Sequence, residues 1–139
     1  MVYKSTDNKK RILVIEEVED DILLQDVLQD KFNLEGFSVL RAKDGEEGLA
    51  IALSEHPDII LLDIILPKMD GLTMMKKLRH TNEWGKNVPI ILLTNLGADN
   101  EEINKAITEN EPAYYLVKSN YTLDDLVEKI KERLSKLQN

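Results

Sequence analysis

Five short apolar runs, each followed by a stretch of helical periodicity, restrict this chain to very few folds. The first run, Ile12-Leu13-Val14-Ile15, is rich in β-branched residues, and residues 20–32 after it carry Leu24, Val27, Leu28 and Phe32 at helical spacing. Gly36 stands where that helix should stop, as a glycine C-cap. Residues 37–40 form a second strand, and Asp44 caps a helix through Ser54 whose buried face is Leu49, Ala52 and Leu53. Pro57 punctuates, and residues 59–62 are the most apolar run in the chain. Leu72, Met75 and Leu78 mark a third helix, and residues 88–93 a fourth strand. Residues 99–109 make a weakly amphipathic helix with Ile103, Ala106 and Ile107, and residues 114–117 a fifth strand. The last helix is the clearest, with Leu123, Leu126, Val127, Ile130, Leu134 and Leu137 at steps of three and four. Thr122 and Asp125 open it as a capping box with Asp in the usual Glu position. Strand–helix alternation with uniformly apolar strands implies an α/β fold, a doubly wound five-stranded parallel sheet covered on both faces.

Length and charge narrow the function. A chain of 139 residues is one domain's worth, read as a loose polar tail at 1–10 and a single domain at 11–139. The absence of cysteine excludes a disulfide framework, a cysteine nucleophile and thiolate metal sites. Two histidines, His56 and His80, are too few for a histidine-built zinc site, and both read as ordinary surface residues. Eighteen Lys and Arg against twenty-six Asp and Glu give a net charge of −8. That balance, with no basic run after residue 11, argues against nucleic acid as a partner. No apolar stretch is long enough to span a membrane, so the expected location is cytoplasmic.

A doubly wound sheet binds its ligand beyond the carboxyl ends of its strands. Strand one ends in Glu16-Glu17, strand three in Asp63, strand four in Thr94 and strand five in Lys118. Crowded carboxylates repel one another unless a cation compensates, and hard oxygen ligands suit Mg²⁺. The lysine adds a fixed positive charge and the threonine a hydroxyl donor, so an acid beside the metal becomes a nucleophile toward phosphorus. No glycine-rich phosphate loop follows strand one, which argues against a dinucleotide or P-loop enzyme. A phosphatase would need a substrate pocket and a separate acid–base residue, and neither is legible.

The segments ILVIEE at 12–17, LLLDIILPKMDG at 60–71, PIILLT at 89–94 and YYLVKS at 114–119 come in order at domain-like spacing. Together they resemble the receiver domain of bacterial two-component response regulators, in its stand-alone, chemotaxis-regulator-like form. The resemblance implies a flavodoxin-like (βα)5 fold with strand order 2-1-3-4-5 and no output domain. It implies that Asp63 accepts a phosphoryl group from a sensor histidine kinase or a phosphotransfer protein. By the same resemblance Glu16 and Glu17 are the acidic pair that binds Mg²⁺ with Asp63 and the backbone carbonyl of Ile65. Thr94 and Tyr115 are then the switch residues, Lys118 bonds the phosphoryl oxygen, and Pro67 and Gly71 shape the loop over the site. The output surface is the 99–137 face, which meets an unidentified downstream protein, the chain itself being a monomer or weak homodimer.

Four departures from the family pattern bear on that reading. Glu17 stands where Asp is usual, one methylene longer, and Asn95 replaces a small residue after the switch threonine. Ser119 stands where a cis proline is usual, so a trans bond is expected there. The turn before strand five, Asn110-Glu111-Pro112, lacks the usual glycine and must be built another way. Glu17 and Ser119 favour the alternative of a silent receiver, a protein-interaction module that works without phosphorylation. Ile65 and Leu96, apolar beside the phosphoryl position, imply slow self-dephosphorylation. Met69, Met74 and Met75 read as loop and core packing, and Trp84 stands on a loop.

Overall fold

The computed structural model describes residues 9–16, 22–94, 101–117 and 120–137. Five strands and six helices follow one another along the described residues, with two helices between the third and fourth strands: β1 (Arg11–Ile15), α1 (Ile22–Leu34), β2 (Ser38–Ala42), α2 (Gly45–Glu55), β3 (Ile59–Asp63), α3 (Gly71–Arg79), α4 (Glu83–Asn87), β4 (Ile90–Thr94), α5 (Glu101–Glu109), β5 (Ala113–Val117) and α6 (Leu123–Leu137). The strands form one parallel sheet in the order β2-β1-β3-β4-β5, as the resemblance implies.

Side-chain alternation sorts each apolar run between two helical layers. Ile12, Val14, Ile59, Leu61, Ile91 and Leu93 share a core with Leu28 and Phe32 of α1 and Leu126, Val127 and Ile130 of α6. Leu13, Ile15, Ile60, Leu62, Ile90 and Leu92 pack on the other face with Ala52 of α2, Met74, Met75 and Leu78 of α3, and Ile103 of α5. A strand covered on both sides has no polar face to show, hence the unbroken hydrophobicity. Each side chain buried in this way contributes roughly 1.5–3 kcal/mol.

The helix ends follow their local chemistry. The buried Asp44 carboxylate accepts the Glu47 N–H at 2.8 Å. Thr122 and Asp125 close the reciprocal capping box, the Asp125 N–H donating to Thr122 Oγ1 at 3.1 Å and the Thr122 N–H to Asp125 Oδ2 at 3.0 Å. Gly36, at φ +90°, ends α1 in the backbone region that favours glycine.

Three local readings change. Trp84 lies in a short helix, α4, and not on a loop; Asn82 caps it, accepting the Gly85 N–H at 2.7 Å. Five residues are too few to show a helical period, although Asn before Glu is a recognisable start. The fourth strand begins at Ile90, because the Val88 N–H turns back to the Trp84 carbonyl and closes α4. His56 keeps its exposed position but has a partner, its ring stacking on Trp84 with centroids 4.2 Å apart and planes 6° from parallel.

The glycine-free turn before β5 is built by a buried cation. Arg79, 5 % exposed at the end of α3, donates through Nε to the Asn110 carbonyl at 2.7 Å. Its other nitrogens donate to the carbonyls of Gly85 at 2.7 Å and Pro112 at 3.0 Å. Asn110 is buried as well, its side-chain amide donating to the Ala106 carbonyl at 2.7 Å. Burial lowers the Arg79 pKa, to about 10, which leaves it charged at neutral pH.

Candidate functional site

The site edge is set by strand register. Ile15 pairs with Leu62 and Asp63 with Leu93, so β1, β3 and β4 finish together. Glu16 follows β1 directly, which brings it beside Asp63, and its N–H donates to the Ala42 carbonyl at 3.1 Å. Thr94 ends β4 opposite Val117 of β5. Glu16, Asp63 and Thr94 therefore meet at one edge of the sheet, where the strand-end rule directs attention. Glu17, Asn95, Leu96, Lys118 and Ser119, and the side chain of Thr94, lie outside the described residues.

Asp63 is half-buried, and its Oδ1 accepts the Ile65 N–H at 3.2 Å, a contact that turns the chain sharply after β3. The loop then folds back: the Gly71 N–H donates to the Ile64 carbonyl at 2.8 Å. Gly71 is needed here because a Cβ would overlap the Asp63 carbonyl oxygen and come within 2.9 Å of Ile64 Cα. Lys68, in the same loop at φ +67°, places its ammonium 3.8 Å from the buried Asp44 carboxylate. Pro67 is exposed, and the Ile65 side chain stands open at 68 % exposure.

Tyr115 lies within β5. It pairs in register with Leu92 and packs half-buried against the α2–α5 layer, short of the strand end. The charge of both carboxylates is felt at another aromatic. Tyr121, just ahead of α6, is half-buried and has its phenol pushed up to about 12, first by burial and then by the negative charges of Glu16 and Asp63. The sequence reading passed over Tyr121 because it belongs to no periodic pattern. Its place three residues past Lys118, at the entrance to the last helix, was the available signal.

The donor chemistry suits a hard divalent cation: two carboxylates on adjacent strand ends, whose joint field is felt by a neighbouring phenol. Among the described residues no group of three His, Cys, Asp or Glu could hold a metal, so Glu16 and Asp63 would need a carbonyl, water or a residue outside that set. Among the described residues, no helix is long and apolar enough to cross a membrane.

The Tyr121 phenol offers a direct check on this geometry. Its raised pKa means that the folded state holds a proton that the unfolded state gives up as pH passes 10. The associated stability is present below pH 10 and lost between there and about 12. Urea unfolding of Tyr121→Phe against the parent at successive pH values should show the variant losing less over that window. Parallel losses would separate Tyr121 from the carboxylates.

Comparison with known proteins agrees with this architecture. Residues 13–131 match the family described as response regulator receiver domain. The chain is 41 % identical over 90 residues to the probable transcriptional regulator ycf27 of Cyanophora paradoxa, covering 65 % of this chain and 35 % of that protein. It is 40 % identical over 98 residues to the alkaline phosphatase synthesis transcriptional regulatory protein PhoP of Bacillus subtilis, covering 70 % and 37 %. The chain thus spans little more than a third of these curated relatives. Among solved structures, a two-component response regulator from Clostridium difficile superposes with a TM-score of 0.78 at 29 % identity, covering 94 % of this chain and all of that one.

Proposed function

Because the chain belongs to the response regulator receiver domain family, we propose that Asp63 is its phosphoacceptor. The donor is the phosphohistidine of a sensor histidine kinase or phosphotransfer protein. One Asp63 carboxylate oxygen forms the new bond to phosphorus as the phosphorus–nitrogen bond breaks and its electron pair returns to the imidazole. The register that ends β1 and β3 together, with Glu16 beside Asp63, carries this reading. Asp63 is the one acid in an otherwise apolar strand and stands at its carboxyl end, a placement for which phosphoryl transfer gives a use.

Glu16, Glu17, Asp63 and the Ile65 carbonyl would hold Mg²⁺, which supplies positive charge against the phosphoryl oxygens. Thr94 donates its hydroxyl to one of those oxygens and Lys118 its ammonium to another. Tyr121, half-buried and within the field of Glu16 and Asp63, would help to shield one side of the site from water. The phosphorylated form shifts the 99–137 face and with it the affinity for a downstream protein. The exposed Ile65 side chain leaves an attacking water without a polar anchor on that side, which favours slow loss of the phosphoryl group.

Intact mass after incubation with acetyl phosphate tests the reading. A single phosphoryl increment is expected, dependent on Mg²⁺ and absent from Asp63→Asn. No increment in the parent chain would overturn it and favour the silent receiver, a partner-binding domain that needs no phosphate. An increment that survives in Asp63→Asn would move the acceptor elsewhere.

A further inference from the structure

The loop between β3 and α3 keeps a lysine where its backbone favours glycine. The Met69 N–H donates to the Pro67 carbonyl at 2.7 Å and closes a three-residue γ-turn around Lys68, whose φ is +67°. A γ-turn with positive φ at its centre is rare and strained, and the left-handed region is costlier for lysine than for glycine. The ordinary reading is a surface lysine that pairs with a nearby acid. Lys68 does pair, its ammonium 3.8 Å from Asp44 Oδ2. Its side chain is 61 % exposed, however, and a pair that open contributes little to stability. Stability alone is therefore a poor reason for lysine to occupy the strained position.

What the pair joins supplies a better reason. Asp44 is a rigid anchor, buried just ahead of α2. Its carboxylate is divided, Oδ1 accepting the Glu47 N–H that caps the helix while Oδ2 faces Lys68. A second contact lies beside the first: a Cβ on Gly45 would overlap the Met69 carbonyl oxygen. The tip of the β3–α3 loop is thus seated on the start of α2. The base of the same loop carries the site. There the Gly71 N–H donates to the Ile64 carbonyl at 2.8 Å, and the Ile65 N–H to Asp63 Oδ1 at 3.2 Å.

We propose that Lys68 is a positioning residue for phosphoryl transfer to Asp63: its pair with Asp44 seats the strained turn, so that the Ile65 N–H holds the Asp63 carboxylate in one orientation. The inference rests on Asp63 being the phosphoacceptor and adds how this chain orients it. Lys68 acts through the loop and not on the phosphoryl group. A carboxylate already fixed through Oδ1 presents its other oxygen to phosphorus without first giving up rotational freedom. A contact this open supports a correspondingly modest effect, about three- to fivefold in rate.

Lys68→Gly tests the assignment, because stability and rate should part company. Glycine relieves the left-handed turn, so the urea unfolding midpoint should be unchanged or higher. Labelling by acetyl phosphate with Mg²⁺, followed by intact mass, should be about three- to fivefold slower. Amide exchange at Ile65 should quicken in the same variant with no phosphoryl donor present. Asp44→Asn keeps an oxygen for the Glu47 N–H and removes the charge, so it should slow labelling by a similar factor. The double variant should be no slower than either single one, as expected of two residues that act through one contact. Lys68→Arg, which retains the cation, should label near the parent rate. A lower midpoint for Lys68→Gly, unchanged Ile65 exchange or multiplied losses in the double variant would each overturn the assignment. So would faster labelling of Asp44→Asn, the result expected if Lys68 only attracts the anionic donor. If the parent takes no phosphoryl group, the phosphoacceptor reading and this inference fall together; if the parent is labelled and the variants match it, this inference falls alone.

Discussion

Arg79→Met is expected to destabilise the domain by about 3 kcal/mol or more, since it strands buried hydrogen-bond acceptors. The methionine fills much of the arginine's volume, so the loss isolates the guanidinium and not the packing. Three carbonyls, of Asn110, Gly85 and Pro112, converge on that one side chain at 2.7, 2.7 and 3.0 Å. They belong to the α5–β5 turn and to α4, and Arg79 itself ends α3, so one group joins three parts of the chain. Domains of this kind are stable by only about 5–15 kcal/mol, so the variant should be marginal. Urea unfolding followed by circular dichroism measures it, with Arg79→Lys expected to fall between variant and parent. A loss below about 1 kcal/mol for Arg79→Met would mean that those carbonyls find other donors.

Gly71→Ala is expected to damage stability and site together. The added methyl group meets the Asp63 carbonyl oxygen and Ile64 Cα, both backbone atoms that cannot turn aside as a side chain does. Overpacking of this kind costs typically about 1–3 kcal/mol. Relief requires the loop between β3 and α3 to move, and that loop supplies the Ile65 N–H that holds the Asp63 carboxylate. The expected result is a lower unfolding midpoint and a slower appearance of the phosphoryl adduct in the folded protein. Thr73→Ala, an exposed change in the same helix, serves as the control: it leaves the Asp70 carboxylate its bond from the residue 73 N–H and should leave the adduct rate near that of the parent. An unchanged adduct rate in folded Gly71→Ala would show that the loop accommodates the methyl group without moving Asp63.

The fold was readable because its determinants are local or periodic. Fully covered strands must be apolar throughout, and Ile12–Ile15 and Ile59–Leu62 state this in sequence. The caps at Asp44 and Thr122 are contacts between residues three apart, and both form as the residue order implies. Glu16 and Asp63 were found by the same logic, as the first polar residues after apolar strands. The unread parts have long-range causes. Nothing near Arg79 distinguishes it from a surface arginine at the end of a helix, since its acceptors lie 6, 31 and 33 residues away. Tyr121 is likewise ordinary until the sheet brings Glu16 and Asp63 to it, and His56 gains its partner only when α4 delivers Trp84.

Sequence alone determined that this chain forms a two-faced parallel sheet with acids at its carboxyl edge, because hydrophobic periodicity and capping operate over a few residues. Tertiary structure alone decided that Glu16 lies beside Asp63, that both act on the Tyr121 phenol through their charge, that a buried guanidinium organises the turn before β5, and that Lys68 meets the buried Asp44 carboxylate. Those outcomes depend on register and on helix placement, which bring together residues whose separation along the chain carries no signal.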